Sequence, residues 1–176
     1  EINTKKMSTD ILKNPMMLTL FISNQKYAER YKNTSLINLR QEVTVGSTIW
    51  NYMQFQLLKY NELLRETEKF GYEQCNLWII INCILPYIGW KMEHIQRITI
   101  SYDIFDNLVY SAYNNIDMYK QELIKFCYKN NIYNWNFDEV EIKKIIFNVL
   151  GFFKKDNGLM QFRHQIYRDF FAAFYL

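Results

Sequence analysis

The sequence predicts a mainly helical protein that ends in one β-hairpin and a last helix. Three observations carry that expectation. Gly occurs 5 times and Pro twice in 176 residues, too few for the many punctuated turns of a sandwich or barrel. Apolar residues recur at helical spacing through most of the chain, as at Ile49, Met53, Tyr60 and Leu64. One hairpin-type turn signal, Lys154-Lys155-Asp156-Asn157-Gly158, stands between two apolar runs near the end.

The elements follow in order. After a polar lead, Asn14 caps a helix that begins at Pro15: the Asn side chain accepts from first-turn amides, and Pro at the first position forfeits no bond. Met16, Met17, Leu18, Leu20 and Phe21 make this helix apolar nearly all round, which predicts burial. Lys26 to Thr44 is polar and poorly periodic apart from Leu36, Ile37 and Leu39, and reads as a connection with at most short helical pieces. Gly46-Ser47 opens the next helix with Ser47 as its cap; Trp50 and Leu57 flank its apolar stripe, and Gly71 ends it. Leu77 to Leu85 is the most hydrophobic run. Even carried to Trp90 it falls short of the ~20 residues of a membrane span, and Asn82 and Pro86 interrupt it. It reads as a core helix with a kink at Pro86, whose ring clashes with the carbonyl of Asn82.

Ser101 caps a helix presenting Ile104, Phe105, Leu108, Val109 and Ala112, which Asn114-Asn115 breaks. An amphipathic helix with Met118, Leu123, Ile124, Phe126 and Cys127 follows. A short charged helix, Glu139 to Lys144, leads into the apolar run from Ile145, so the hairpin is expected over about 145–163 and the final helix over 165–176. Helices, one hairpin and a closing helix are the outline of a winged-helix domain with additional helices around it. The expected division is a helical domain over 1–70 and a winged-helix domain over 71–176.

Composition narrows the function. A net charge of +3 is too small to imply a nucleic-acid partner by itself. Cys75, Cys83 and Cys127 have no C-x-x-C spacing and lie in apolar helical stretches, which fits buried free thiols of a reducing cytosol; neither a disulfide nor a zinc site is expected. No apolar run follows the N-terminal lysines, so no signal peptide is expected, and a cytoplasmic location is. The start at Glu1 points to a piece of a longer chain. There is no G-x-x-x-x-G-K-S/T loop, no hydrophobic run ending in paired acids to hold magnesium, and no G-x-S-x-G. His94 and His164 are far apart in sequence and lack metal-spaced partners. No catalytic residue and no metal ligand is therefore expected in this chain.

His164 is the exception worth chemistry. It sits where the last strand ends and the last helix begins. The free amides and partial positive charge of a helix start can hold a phosphate, and the imidazole can donate to the same anion. The residues alone leave open a histidine that caps the helix or bonds a carbonyl. The helix beyond carries two adjoining apolar stripes, Ile166, Phe170, Ala173 and Phe174, then Tyr167, Phe171 and Tyr175, and is expected to pack on both. His94 beside Glu93, and the pairs Lys5-Lys6, Lys143-Lys144 and Lys154-Lys155, read as solvated. The last pair falls at a hairpin tip, where winged-helix DNA binders carry basic side chains to phosphates.

Phe162, His164 and the run Asp169-Phe170-Phe171-Ala172-Ala173 resemble the signature that ends the winged-helix domain of NACHT NTPases: Phe-x-His, four residues, an acid, two apolar residues and Ala-Ala. That family belongs to the signal-transducing ATPases with numerous domains. Asn14 to Leu20 resembles its N-P-L-L-L-T-L segment, in the small helical domain after the NTPase core, and Ile84 to Glu93 is similar to its L-L-x-x-I-A-Y-x-M helix. The three matches come in the family's order and span nearly the whole chain.

The resemblance implies a nucleotide-sensing regulatory module. In similar proteins the proline matching Pro15 packs against the adenine-nucleotide pocket, and the histidine matching His164 contacts the β-phosphate of ADP in the closed resting state. ATP or ADP, with magnesium, would bind the intact parent, an NTPase; this piece alone is expected neither to catalyse nor to bind nucleotide. The implied partners are the N-terminal NTPase core and C-terminal sensor region of the same protein, with homo-oligomer formation on activation and no membrane or nucleic acid. On the residues themselves Pro15 can equally be a helix-start proline without a ligand. A nucleic-acid-binding winged helix and a ligand-free helical interaction domain stay open beside the switch reading.

Overall fold

The computed structural model describes residues 9–31, 43–64, 70–129, 131–133 and 135–175. The protein is mainly helical with a small three-stranded antiparallel sheet. It divides into two compact units, Glu1–Leu63 and Leu64–Leu176. No helix among the described residues is long and apolar enough to cross a membrane.

The first unit holds α1 (Thr9–Lys13), α2 (Pro15–Tyr31) and α3 (Val45–Leu64). Asn14 separates the first two and caps the second, its Oδ1 accepting from the amides of Met16 at 3.0 Å and Met17 at 3.3 Å. The cap is as expected; the polar lead is not, because α1 buries Ile11 within it. Helix α2 is buried on one face rather than all round: Met17, Leu20, Phe21 and Asn24 are buried while Ile22 is exposed. It also runs ten residues past Phe21, to Tyr31, so the helical piece at Lys26 to Tyr31 is a continuation of α2, and a connection can begin only after it. Tertiary partners hold that extension. Tyr27 stacks on Phe55 of α3 at 5.4 Å, and the Asn24 amide donates to the Thr48 carbonyl at 2.8 Å.

Thr44, not Ser47, caps α3. The Thr44 Oγ1 accepts from the Ser47 amide at 3.1 Å, and Ser47 Oγ accepts from the Thr44 amide at 2.8 Å. This reciprocal pair is a capping box with Ser in the position usually held by Glu or Gln. The Leu36–Leu39 patch, Lys5-Lys6 and the side chains of Leu57, Tyr60 and Leu64 lie outside the described residues.

The second unit opens with a continuous helical course: α4 (Phe70–Ile79), a π-helical turn (Ile80–Ile84) and α5 (Leu85–His94). Gly71 therefore lies in the first turn of α4 instead of ending α3. Where a kink is expected at Pro86, the helix has a π turn just before the proline, in which the Leu85 amide bonds the Ile80 carbonyl five residues back. Widening this turn moves carbonyls away from a proline ring that neither donates nor fits the tighter helix. Asn82, within the turn, gives its side-chain amide to the Trp78 carbonyl at 2.8 Å. Ile79, Ile80, Ile81, Cys83, Ile84 and Leu85 are all buried, as a core helix requires.

Strand β1 (Ile100–Ser101), a third strand that the sequence pattern does not announce, precedes α6 (Tyr102–Asn114). Ser101 Oγ accepts from the Ile104 amide at 3.4 Å, so the expected cap doubles as a strand residue. A 3-10 turn (Ile116–Tyr119) leads to α7 (Lys120–Lys129), which has no buried residue among those described. Asp138 caps α8 (Glu139–Lys144), accepting from the amides of Val140 at 3.0 Å and Glu141 at 3.1 Å.

From Ile145 to Leu150 the chain stays helical, as a second π turn. The hairpin is accordingly shorter than the expected 145–163: β2 (Phe153–Asp156) and β3 (Leu159–Phe162). A β-branched run started inside a well-capped helix continues it while burying Ile145, Ile146 and Leu150. Gly151, in the left-handed region at φ 62°, stops it. Asn157 and Gly158, at φ 46° and 76°, form the two-residue turn that pairs Asp156 with Leu159, as Asn-Gly chemistry predicts. The sheet order is β1-β3-β2, with Ile100 opposite Met160. Helix α9 (Gln165–Tyr175) closes the unit and packs along α5.

Candidate functional site

The segment around His164 is built from the hairpin outward. Phe162, the last residue of β3, is buried against Phe153 at 4.1 Å and Phe171 at 6.0 Å between ring centroids. The next amide, Arg163, donates to the Phe152 carbonyl at 2.8 Å and ends the pairing. His164 then turns the chain: its carbonyl accepts from the Tyr167 amide at 3.1 Å, and α9 begins at Gln165. The imidazole is exposed, edge-on to the Tyr167 ring at 5.7 Å between centroids. Arg163 and Gln165 on either side are exposed too, and the first turn of α9 carries no acid. Donors and a partial positive charge thus face solvent with no carboxylate in the first turn to answer them, an arrangement suited to an anion.

Helix α9 is a firm mount for this corner. Phe152 meets Tyr167 at 4.8 Å and Phe171 at 5.4 Å, both edge to face. Tyr175 stacks on Trp90 of α5 at 5.0 Å. The two expected stripes are unequally covered: Tyr167 and Phe171 are buried, with Arg168 and Ala172 beside them, whereas Ile166 and Phe170 are half-buried and Ala173 and Phe174 exposed. A charge sits among the buried residues. Arg168, only 8% exposed, reaches Glu93 at 2.8 Å and bonds Asp169 through Nε at 3.0 Å and an Nη at 2.9 Å. Periodicity does not reveal this arginine, because its partner on α5 lies 75 positions earlier.

Pro15 occupies the first position of α2, with an exposed ring and a carbonyl that accepts from Thr19 Oγ1 at 2.9 Å. It belongs to the first unit and His164 to the second. The remaining candidates sort by their partners. His94 is exposed and stacks on Trp90 at 5.6 Å. Lys143 pairs with Glu139 at 2.9 Å and Asp106 at 3.2 Å, and Lys144 with Glu141 at 3.2 Å. At the hairpin, Lys155 lies over the Phe147 ring at 4.1 Å. Among the described residues no cluster of three His, Cys, Asp or Glu side chains is placed to hold a metal. An open depression of about 610 Å³ beside β1 has Arg97 as its one charged lining residue.

Sequence reasoning also misses a pair of thiols. Cys75 of α4 and Cys127 of α7 stand with their sulfurs 3.2 Å apart, although 52 positions separate them. No spacing rule brings them together; only the packing of α7 on α4 does. Comparison with protein-family models, curated proteins and solved structures returned no match to this chain.

Proposed function

We propose that this chain is the nucleotide-sensing module of a NACHT-type signalling NTPase, a winged-helix domain and a preceding helical segment that close over bound nucleotide in the resting state. The observation that carries the reading is the exposure of His164. Phe162, Phe171 and Ala172 of the closing motif are buried and have packing roles. The imidazole, by contrast, is exposed at the start of α9, edge-on to the Tyr167 ring, and is left to meet a ligand supplied from elsewhere.

The topology supports the winged-helix part. Helix α5, strand β1, helices α6 and α8, then β2 and β3, with sheet order β1-β3-β2, follow the helix-strand-helix-helix-strand-strand plan of that fold. Helix α7 is an insertion between its second and third helices. The nucleic-acid alternative finds less support. Lys143 and Lys144, on the helix preceding the hairpin, are already paired with acids, and Lys155 is drawn over an aromatic ring.

In this reading the NTPase core holds ATP or ADP and magnesium. The nucleotide supplies phosphate charge, and His164, with the first-turn amides of α9, binds it as a domain-positioning contact. Pro15 would border the adenine side. Nucleotide identity then biases where the module rests. The test is His164→Ala in the intact parent: ADP retention should weaken about tenfold or more, the worth of a charge-assisted hydrogen bond, and basal signalling should rise. Unchanged nucleotide content and unchanged signalling would refute the assignment. Calorimetry of the isolated chain should show no ADP binding tighter than millimolar.

A further inference from the structure

We propose that Cys75 and Cys127 form a redox-closable dithiol that ties α7 to α4. This inference does not depend on the nucleotide-switch reading. The two sulfurs are 3.2 Å apart as free thiols and need to approach by only about 1 Å to reach bonding distance.

Contacts flanking the thiols position them independently of any bond between them. The residue after Cys75, Asn76, is fully buried and accepts from Trp135 Nε1 at 2.9 Å. Trp78 of α4 meets Phe126, the residue before Cys127, at 5.9 Å between ring centroids. Trp78 and Phe126 therefore join α4 to α7 directly beside the sulfurs, while Trp135, beyond α7, holds the residue next to Cys75, so closure asks for side-chain adjustment rather than movement of a helix.

Access is asymmetric. Cys75 is buried and Cys127 half-buried, so a small oxidant meets Cys127 first. With a low-molecular-weight disulfide as oxidant, the Cys127 thiolate attacks one of its sulfurs, forms a mixed disulfide and expels one small thiol. The Cys75 thiol then loses its proton and attacks Cys127 Sγ; the Cys75–Cys127 bond forms, the mixed disulfide breaks, and the second small thiol leaves with a proton. The two protein thiols are oxidised and the small disulfide is reduced to two thiols. Burial first, then the contact with Cys127, holds the Cys75 thiol well above the ordinary cysteine range. The second step is consequently slow at neutral pH and quickens as pH rises. Cys83 is buried on the π turn and takes no part.

The experiment uses the whole 176-residue chain treated with oxidised glutathione at about pH 7, below the ordinary thiol value, and at about pH 8.5, close to it, quenched with a thiol-alkylating reagent and mapped by peptide mass. The expected product is a linked Cys75–Cys127 peptide, formed faster at the higher pH, with Cys83 alkylated only after denaturation. Bridging a 52-residue span should raise the Tm by roughly 10 °C, a gain that dithiothreitol removes. Cys83→Ala should retain the linked peptide, and Cys127→Ser should abolish both it and the Tm rise. A glutathione adduct that persists on Cys127, a linkage through Cys83, or no oxidation of the pair would each overturn the proposal. Should Cys127→Ser fail to fold, the wild-type peptide map and its pH dependence decide alone.

Discussion

The backbone of Gly89 on α5 lies against that of Ala172 on α9 so closely that a Cβ at Gly89 would sit 2.9 Å from the Ala172 amide nitrogen. The same atom would be 2.9 Å from Phe171 Cβ and 3.0 Å from the Arg168 carbonyl. All three are backbone or Cβ atoms, which cannot swing aside. The absence of a side chain at one position sets how near the two helices run, and so how firmly α9 presents His164.

In an ordinary helix interior Gly→Ala would stabilise by about 1 kcal/mol. Here the sign reverses. Gly89→Ala should destabilise the chain by about 1–3 kcal/mol through overpacking, read by urea unfolding. A variant as stable as the wild type would mean that α5 and α9 are not in this contact.

Arg168 joins the same two helices through charge. Its partners Glu93 and Asp169 are 44% and 50% exposed, so solvent screens the pairs and they are worth less than fully buried ones. Arg168→Ala should lose about 2 kcal/mol, Arg168→Met less, since it keeps the buried stem's packing, and Glu93→Gln under about 1 kcal/mol. Equal losses in all three would contradict a role divided between packing and charge.

Asn14 satisfies two first-turn amides of α2 with one oxygen. Asn14→Ala should cost about 1 kcal/mol, and Asn14→Asp should restore most of it, as a second acceptor of similar shape. Thermal melts of the three proteins would distinguish capping from a packing role, which Asp would not rescue.

Alkaline pH should weaken the second unit. Burial pushes Cys83 from 9.0 up to about 12 and also raises Tyr119 and Tyr175; hydrogen bonds to Glu139 and then Asp106 raise Lys143. Each group holds its proton more tightly folded than unfolded. Its contribution is therefore whole below the unfolded value and lost as pH climbs through the folded one. The Tm should fall between about pH 9 and about pH 12, the window set by Cys83, and Cys83→Ala should shallow that slope. An unchanged slope would show that the thiol is not held protonated by burial.

Local chemistry is legible in the sequence. The Asn14 and Ser101 caps and the Asn157-Gly158 turn involve partners within a few residues, and a short stretch of sequence contains both halves of each. The location of His164 between the last strand and the last helix follows from the same reasoning. Its exposure does not, because that depends on what the rest of the chain covers.

Sequence alone therefore determined the helical class, the closing hairpin and the corner that carries the candidate histidine, since those rest on backbone hydrogen bonding within one or two turns. Tertiary structure decided the rest. Ile145–Leu150 is helix and not strand, β1 joins the sheet through Met160, Arg168 finds Glu93, and Cys127 finds Cys75. A β-branched run is compatible with either conformation until a neighbouring surface buries it. Charges and thiols distant in sequence meet only when packed helices bring them together.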